Sequence, residues 1–235
     1  MLRLNNIGVR FGQNVVFDNF NLSLESGKTT VIMGRSGVGK TTLLNVLAGT
    51  VKFSGSAEVQ KPISYIFQTP RLLENLTVEQ NLIYVLKNAV TNLNEYSEKI
   101  QKLLSDAGIS EKKNALASTL SGGQKQRVSM LRAFLYPSKL LLMDEPFTSL
   151  DIALKARLID LYKHLLLENP RTVVCVSHDL DEALLIADRV IVLGENKVLL
   201  DVSLPSSDTA RDLTSESCVL ARSKIYSAIA NESKL

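Results

Sequence analysis

Apolar and polar positions alternate from the start of the chain. Leu2 and Leu4, then Ile7, Val9 and Phe11, then Phe20, Leu22 and Leu24 fall at strand spacing, divided by turn signals at Gly12-Gln13-Asn14 and Glu25-Ser26-Gly27. Residues 29–33 predict a short apolar strand. A glycine-punctuated stretch follows it, and Leu43, Leu44, Val46 and Leu47 then take helical spacing up to a stop at Gly49. From about 71 to 136 the period is mostly helical. Thr77-Val78-Glu79-Gln80 is a capping box with Leu82, Val85 and Leu86 behind it, and Ile100, Leu103, Leu104 and Ala107 form an apolar face that ends at Gly108. A second capping box, Ser121-Gly122-Gly123-Gln124, precedes the stripe Val128, Leu131 and Leu135, which Pro137 limits. After Lys139, apolar runs at 140–143, 172–176 and 190–193 alternate with amphipathic helices over 152–167 and 179–187. Strands apolar on both sides, alternating with helices, predict an α/β fold with a parallel sheet covered on both faces. The helical stretch 71–136 reads as an insertion in one domain spanning 1–204. Residues 205–235 read as a polar tail with one short helix near 218–230.

Composition narrows the function classes. At 235 residues, 45% hydrophobic and 22% charged, the chain excludes disordered, collagen-like and disulfide-scaffold classes. Its longest apolar stretches are far shorter than the roughly 20 residues a spanning helix needs. The N-terminus carries no apolar run ahead of a small-residue cleavage site, which argues against secretion. A net charge of +3, without a basic block, gives no argument for a nucleic-acid partner. Cys175 and Cys218 form no framework and fit a reduced, cytoplasmic setting.

The strongest chemical signal is Gly34-Arg35-Ser36-Gly37-Val38-Gly39-Lys40-Thr41, followed by Thr42, set between a strand and a helix. Its glycines let backbone N–H groups curl around a phosphate chain at a helix N-terminus. Lys40 is placed to reach the β- and γ-phosphates, and the Thr41 hydroxyl to bind Mg²⁺. A buried strand at 140–143 then ends in Asp144 and Glu145, where a parallel sheet presents its ligand crevice. Asp144 there suits Mg²⁺, and Glu145 suits the orientation or deprotonation of an attacking water.

These motifs, with Leu120-Ser121-Gly122-Gly123-Gln124 between them, resemble the ATP-binding subunits of ABC transporters. The order matches that family across residues 2–202: phosphate loop, Gln68 after a strand, signature at 120–124, acidic strand, Ser149-Leu150-Asp151, then His178. The resemblance implies a phosphate-loop fold of ABC type, with a mostly parallel core sheet, an N-terminal antiparallel β subdomain and an inserted helical subdomain. It further implies that Phe11, or the nearby Phe17, stacks on adenine, and that Gln68 contacts Mg²⁺ and the attacking water. His178 is implied to contact the γ-phosphate, with Glu145, His178 and Gln68 as the catalytic set. Ser121, Gly122, Gly123 and Gln124 are implied to act on ATP bound to a second copy, and Asp151 to link the two sites.

ATP and Mg²⁺ are thus the implied ligands, and a second copy around two ATP molecules an implied partner. With one ATPase unit and no spanning segment, the chain is expected on the cytoplasmic face of a membrane, peripherally bound to separate permease subunits. The run Phe67-Gln68-Thr69-Pro70-Arg71-Leu72-Leu73 is similar to nitrate/sulfonate/taurine-type importer ATPases, which implies a substrate-binding protein as well. Glu74-Asn75 departs from the Pro-Trp more usual in that group. An ATPase of an exporter, or of a lipoprotein- or cell-wall-acting complex, shares every catalytic motif. Leu72 and Leu73 are expected to be exposed and to line a groove for a permease helix; packing onto the following helix is the alternative.

Overall fold

The N-terminal alternation folds into a hairpin of β1 (Leu2–Phe11) and β2 (Asn14–Leu24). Leu4 and Ile7 are three positions apart, yet both are buried, because the ladder is irregular between them and Asn6 adopts φ 51°. That bulge restores the inward face after the extra residue. The computed structural model describes residues 1–87, 89–90, 92, 96–148, 150–205 and 211–232.

Nine strands and seven α-helices are present among the described residues. β1 pairs antiparallel with β2 on one side and with β4 (Ser54–Glu58) on the other. The second sheet has six strands in the order β5 (Ile63–Ile66), β6 (Leu140–Asp144), β7 (Thr172–Val176), β3 (Thr29–Met33), β8 (Arg189–Gly194), β9 (Lys197–Ser203). All neighbours in it are parallel except β8 and β9. β4 is not legible as a strand because its side chains are almost all exposed and carry no apolar period, whereas β9 does alternate, at Val198, Leu200 and Val202, with Leu199 breaking the pattern.

The central strands bury both faces. Ile32, Leu142 and Val174 pack with the β1–β2 hairpin and α1 (Lys40–Ala48), while Val31, Leu141 and Val173 face the core shared with the remaining helices. The helical insertion contains α2 (Val78–Tyr84), α3 (Ser97–Asp106) and α4 (Gly122–Leu135), with α5 (Ile152–Glu168) and α6 (Leu180–Ile186) beyond it. Both expected capping boxes form, at Thr77 and at Ser121. Arg171, 7% exposed, donates to the carbonyls of Ala133 and Phe134 and to Ser138 Oγ. It thereby satisfies orphan carbonyls at the end of α4. Burial lowers its pKa to about 10.

Two local expectations change. The helix expected near 218–230 forms as α7 (Glu216–Glu232), but the stretch is not simply a polar tail: Cys218, Ala221 and Ile225 are buried, and Ala221 and Ile225 join the main core. Leu72 is 8% exposed and belongs to the core with Val78 and Leu82, so it lines no open groove. Asn81 fixes the backbone there, accepting from Leu73 N at 2.8 Å and donating to Leu73 O at 3.0 Å. Leu72→Asp is therefore expected to destabilise the protein by about 2–5 kcal/mol, since it buries an unpaired charge. Thermal denaturation measures this; an unchanged melting temperature would mean the side chain is not packed as described. The exposed large apolar side chains of the insertion, among the described residues, are Tyr84 and Leu116.

Candidate active site

Four adjacent parallel strands, β5, β6, β7 and β3, deliver the motif residues to one edge of the sheet. Gln68 follows β5, Asp144 and Glu145 end β6, His178 follows β7, and the phosphate loop follows β3. In an open α/β sheet this carboxyl edge is the ligand crevice.

The loop from Gly34 to Gly39 turns through positive φ at Gly34 (144°), Gly37 (86°) and Gly39 (102°). At Gly34 a Cβ would lie 2.2 Å from the Leu193 carbonyl oxygen, so a side chain there displaces β8 backbone. At Gly39 it would lie 2.7 Å from Val16 and 2.9 Å from the Phe17 ring. Val38 is buried beneath the loop, whereas Arg35 and Ser36 are exposed and Thr42 is half-buried on the first turn of α1. Lys40 Nζ donates to the carbonyls of Gly34 at 2.9 Å and Arg35 at 2.8 Å. Burial lowers its pKa, against the pull of Glu145 and Asp144.

Thr41 Oγ1 lies 3.4 Å from Asp144 Oδ1. Burial raises the Asp144 pKa, against the hydrogen bond from Thr41. Two oxygen donors at this spacing, one a carboxylate, fit a hard divalent cation such as Mg²⁺. Glu145 adopts φ 47°, held by its N–H donating to Val176 O at 2.9 Å. Three groups converge on its Oε2: Gln68 Nε2 at 3.0 Å, Thr148 Oγ1 at 3.3 Å and His178 Nδ1 at 3.3 Å. The resemblance groups Glu145, Gln68 and His178 as one set, and the fold brings them to a single atom, Glu145 Oε2.

Phe11 is 51% exposed at the tip of the hairpin, while Phe17 is fully buried and stacks on Phe20 at 4.7 Å. Of the two aromatics, only Phe11 can present a face to a ligand. Ser121 is the N-cap of α4, with Ser121 N donating to Gln124 Oε1 at 3.0 Å and Gln124 N to Ser121 Oγ at 3.3 Å. Gly122 opens the helix, and at Gly123 a Cβ would lie 2.4 Å from Leu154 of α5. Asp151 caps α5 by accepting from Leu154 N at 2.9 Å. Ser149 lies outside the described residues. His164, which no motif claims, sits on α5 at 3.5 Å from Asp106 and 3.7 Å from Glu168.

Several supporting contacts have no signature in the sequence. Thr148 reaches Glu145, as above. Gln126, 4% exposed, donates to Pro146 O at 2.5 Å and ties α4 to the segment after Glu145. Ser177 and Glu182 brace the turn that carries His178. Gln126 carries no local pattern that marks it, and the partners of Gln126 and Glu182 come only from tertiary packing.

The ABC transporter family model matches residues 17–148. The chain is 38% identical over 206 residues to the aliphatic sulfonates import ATP-binding protein SsuB 2 of Pseudomonas syringae pv. tomato, covering 86% of each. It is 40% identical over 194 residues to SsuB 1 of Paracoccus denitrificans, covering 81% of this chain and 78% of that one. Among solved structures it is similar to cbiO1 from Clostridium perfringens, part of the ABC transporter complex cbiONQ. That likeness has a TM-score of 0.76 at 26% identity, over 86% of this chain and 88% of the other.

Proposed function

The chain belongs to the ABC transporter family and is an ATP-binding, ATP-hydrolysing subunit of an importer; from that premise we propose that it powers uptake of aliphatic sulfonates or chemically similar small anions. The observation that carries the site assignment is the arrival of Lys40, Gln68, Asp144, Glu145 and His178 at one edge from four neighbouring strands. The substrate class rests on the sulfonate importers to which the chain is similar.

In this reading the phosphate loop takes the triphosphate. Lys40 gives up its two carbonyl partners for the β- and γ-phosphates, exchanging neutral acceptors for charged ones. Thr41, Asp144 and Gln68 are the residues that would hold Mg²⁺, which supplies charge neutralisation at the phosphates. The donors from Gln68, Thr148 and His178 hold Glu145 Oε2, and we assign Oε1 to the attacking water as general base. Phe11 offers its exposed ring to adenine.

Ser121 and Gly123, at the N-terminus of α4, complete the site of a second copy, where helix N–H groups favour the γ-phosphate. Asp151 lies at the junction between copies. The subunit works with membrane-spanning permease subunits and a substrate-binding protein, from the cytoplasmic face of the membrane. No helix among the described residues is long and apolar enough to cross a membrane.

Reconstitution tests this. Assembled with its permease and binding protein in vesicles, the chain is expected to hydrolyse ATP several-fold faster when an alkanesulfonate and the binding protein are added together. Stimulation by substrate without any binding protein would favour the exporter reading. Stimulation by other solutes, with none by sulfonates, would overturn the substrate class.

A further inference from the structure

We propose that Lys155 is a positioning residue that locks the His178 turn to the Asp151 turn, so that a second copy meeting Asp151 is felt at the Glu145–His178 pair. This rests on the roles given above to His178 and Asp151. Lys155 sits on the first turn of α5, and its N–H donates to Asp151 O at 2.9 Å. Its ammonium lies 2.8 Å from Asp179 Oδ2 and 2.7 Å from Glu182 Oε1. The Glu182 side chain is only 3% exposed, and its Oε2 accepts from Ser177 Oγ at 2.7 Å. Ser177 Oγ in turn accepts from Asp179 N at 3.0 Å. The residues on both sides of His178 are thus held in one network.

Lys155 bridges both of its carboxylates. Burial works to lower its pKa, but the hydrogen bonds to Asp179 and Glu182 outweigh that and raise it. The adjacent Leu154 packs against Gly123 of the α4 N-terminus. One helical turn therefore touches the expected partner contact, the signature helix and the histidine turn together. A buried carboxylate that loses its cation is costly, which makes the link stiff rather than optional. A displacement of Asp151 carried by the first turn of α5 moves the Lys155 ammonium, and with it Asp179 and Glu182. None of these residues touches the phosphate loop through the bonds described, so the effect of the link falls on turnover far more than on ATP capture.

The test is steady-state ATP hydrolysis by the full-length protein, with the melting temperature of each variant. Lys155→Met is expected to lower kcat about tenfold or more while the KM for ATP changes by less than about threefold. Lys155→Arg, which keeps the cation, recovers most of the rate. Lys155→Met combined with Glu182→Gln removes the stranded charge, and it is expected to melt near the parent temperature and remain slow. A purely structural role predicts that its rate recovers with its stability, which would overturn the proposal. His178→Ala identifies the route: adding Lys155→Met to it should cost little more, since both act through one group. Additive losses would overturn the link, while normal turnover in His178→Ala alone would overturn the reading of His178 on which it rests.

Discussion

Glu145→Gln is expected to bind ATP as the parent does and to hydrolyse it about 10²–10⁴ times more slowly, the usual worth of a positioned general base. The substitution keeps side-chain shape, and the amide oxygen can still accept from Gln68 and Thr148, which now bond Oε2 at 3.0 and 3.3 Å. Folding should therefore be little changed, and melting temperature is the control. Only proton acceptance is lost. Because the γ-phosphate persists, two copies should stay joined around ATP. Size-exclusion chromatography with ATP should show a dimer in the mutant that the parent forms only transiently. An unchanged rate of ATP hydrolysis would remove Glu145 from the role of base.

The site's ingredients were legible because each motif is local. The glycines of the phosphate loop and the two acids after β6 occupy short segments whose spacing reports their backbone. Both capping boxes were equally legible, being closed within four residues. What could not be read is what the fold assembles across distance. Gln68 and His178 are 110 positions apart in number, yet both meet Glu145 Oε2. Lys155 and Glu182 look like unrelated solvent-facing charges until α5 and α6 pack together. Leu72 was misplaced for the same reason: a proline-led segment gave no period to mark it as core. Edge strands such as β4 were missed because backbone pairing, not an apolar face, holds them. Phe11 is the aromatic the resemblance points to, with Phe17 a nearby rival, and burial separates the two.

The second large effect concerns whether two copies share each site. Lys40→Ala is expected to weaken ATP binding and abolish most turnover, since it removes the cation from the β- and γ-phosphates. Ser121→Ala is expected to bind ATP and still turn over about 10²-fold more slowly, the order seen when one preorganised transition-state donor is lost. Loss of its cap alone would cost only about 1 kcal/mol of stability and spare the rate. The two explanations separate when the mutants are mixed. In a dimer of one Lys40→Ala copy and one Ser121→Ala copy, one site combines an intact phosphate loop with an intact signature. The other site carries both defects. If one site suffices, random mixing at equal amounts should restore about a quarter of the parent activity, because about half the dimers are mixed and each holds one working site of two. Neither mutant alone can do this at any concentration. Melting curves measured beside the assay identify the plain cap: a lower melting temperature in Ser121→Ala with normal turnover. A mixture no more active than the average of its two components would show that each copy hydrolyses ATP without the signature of its neighbour.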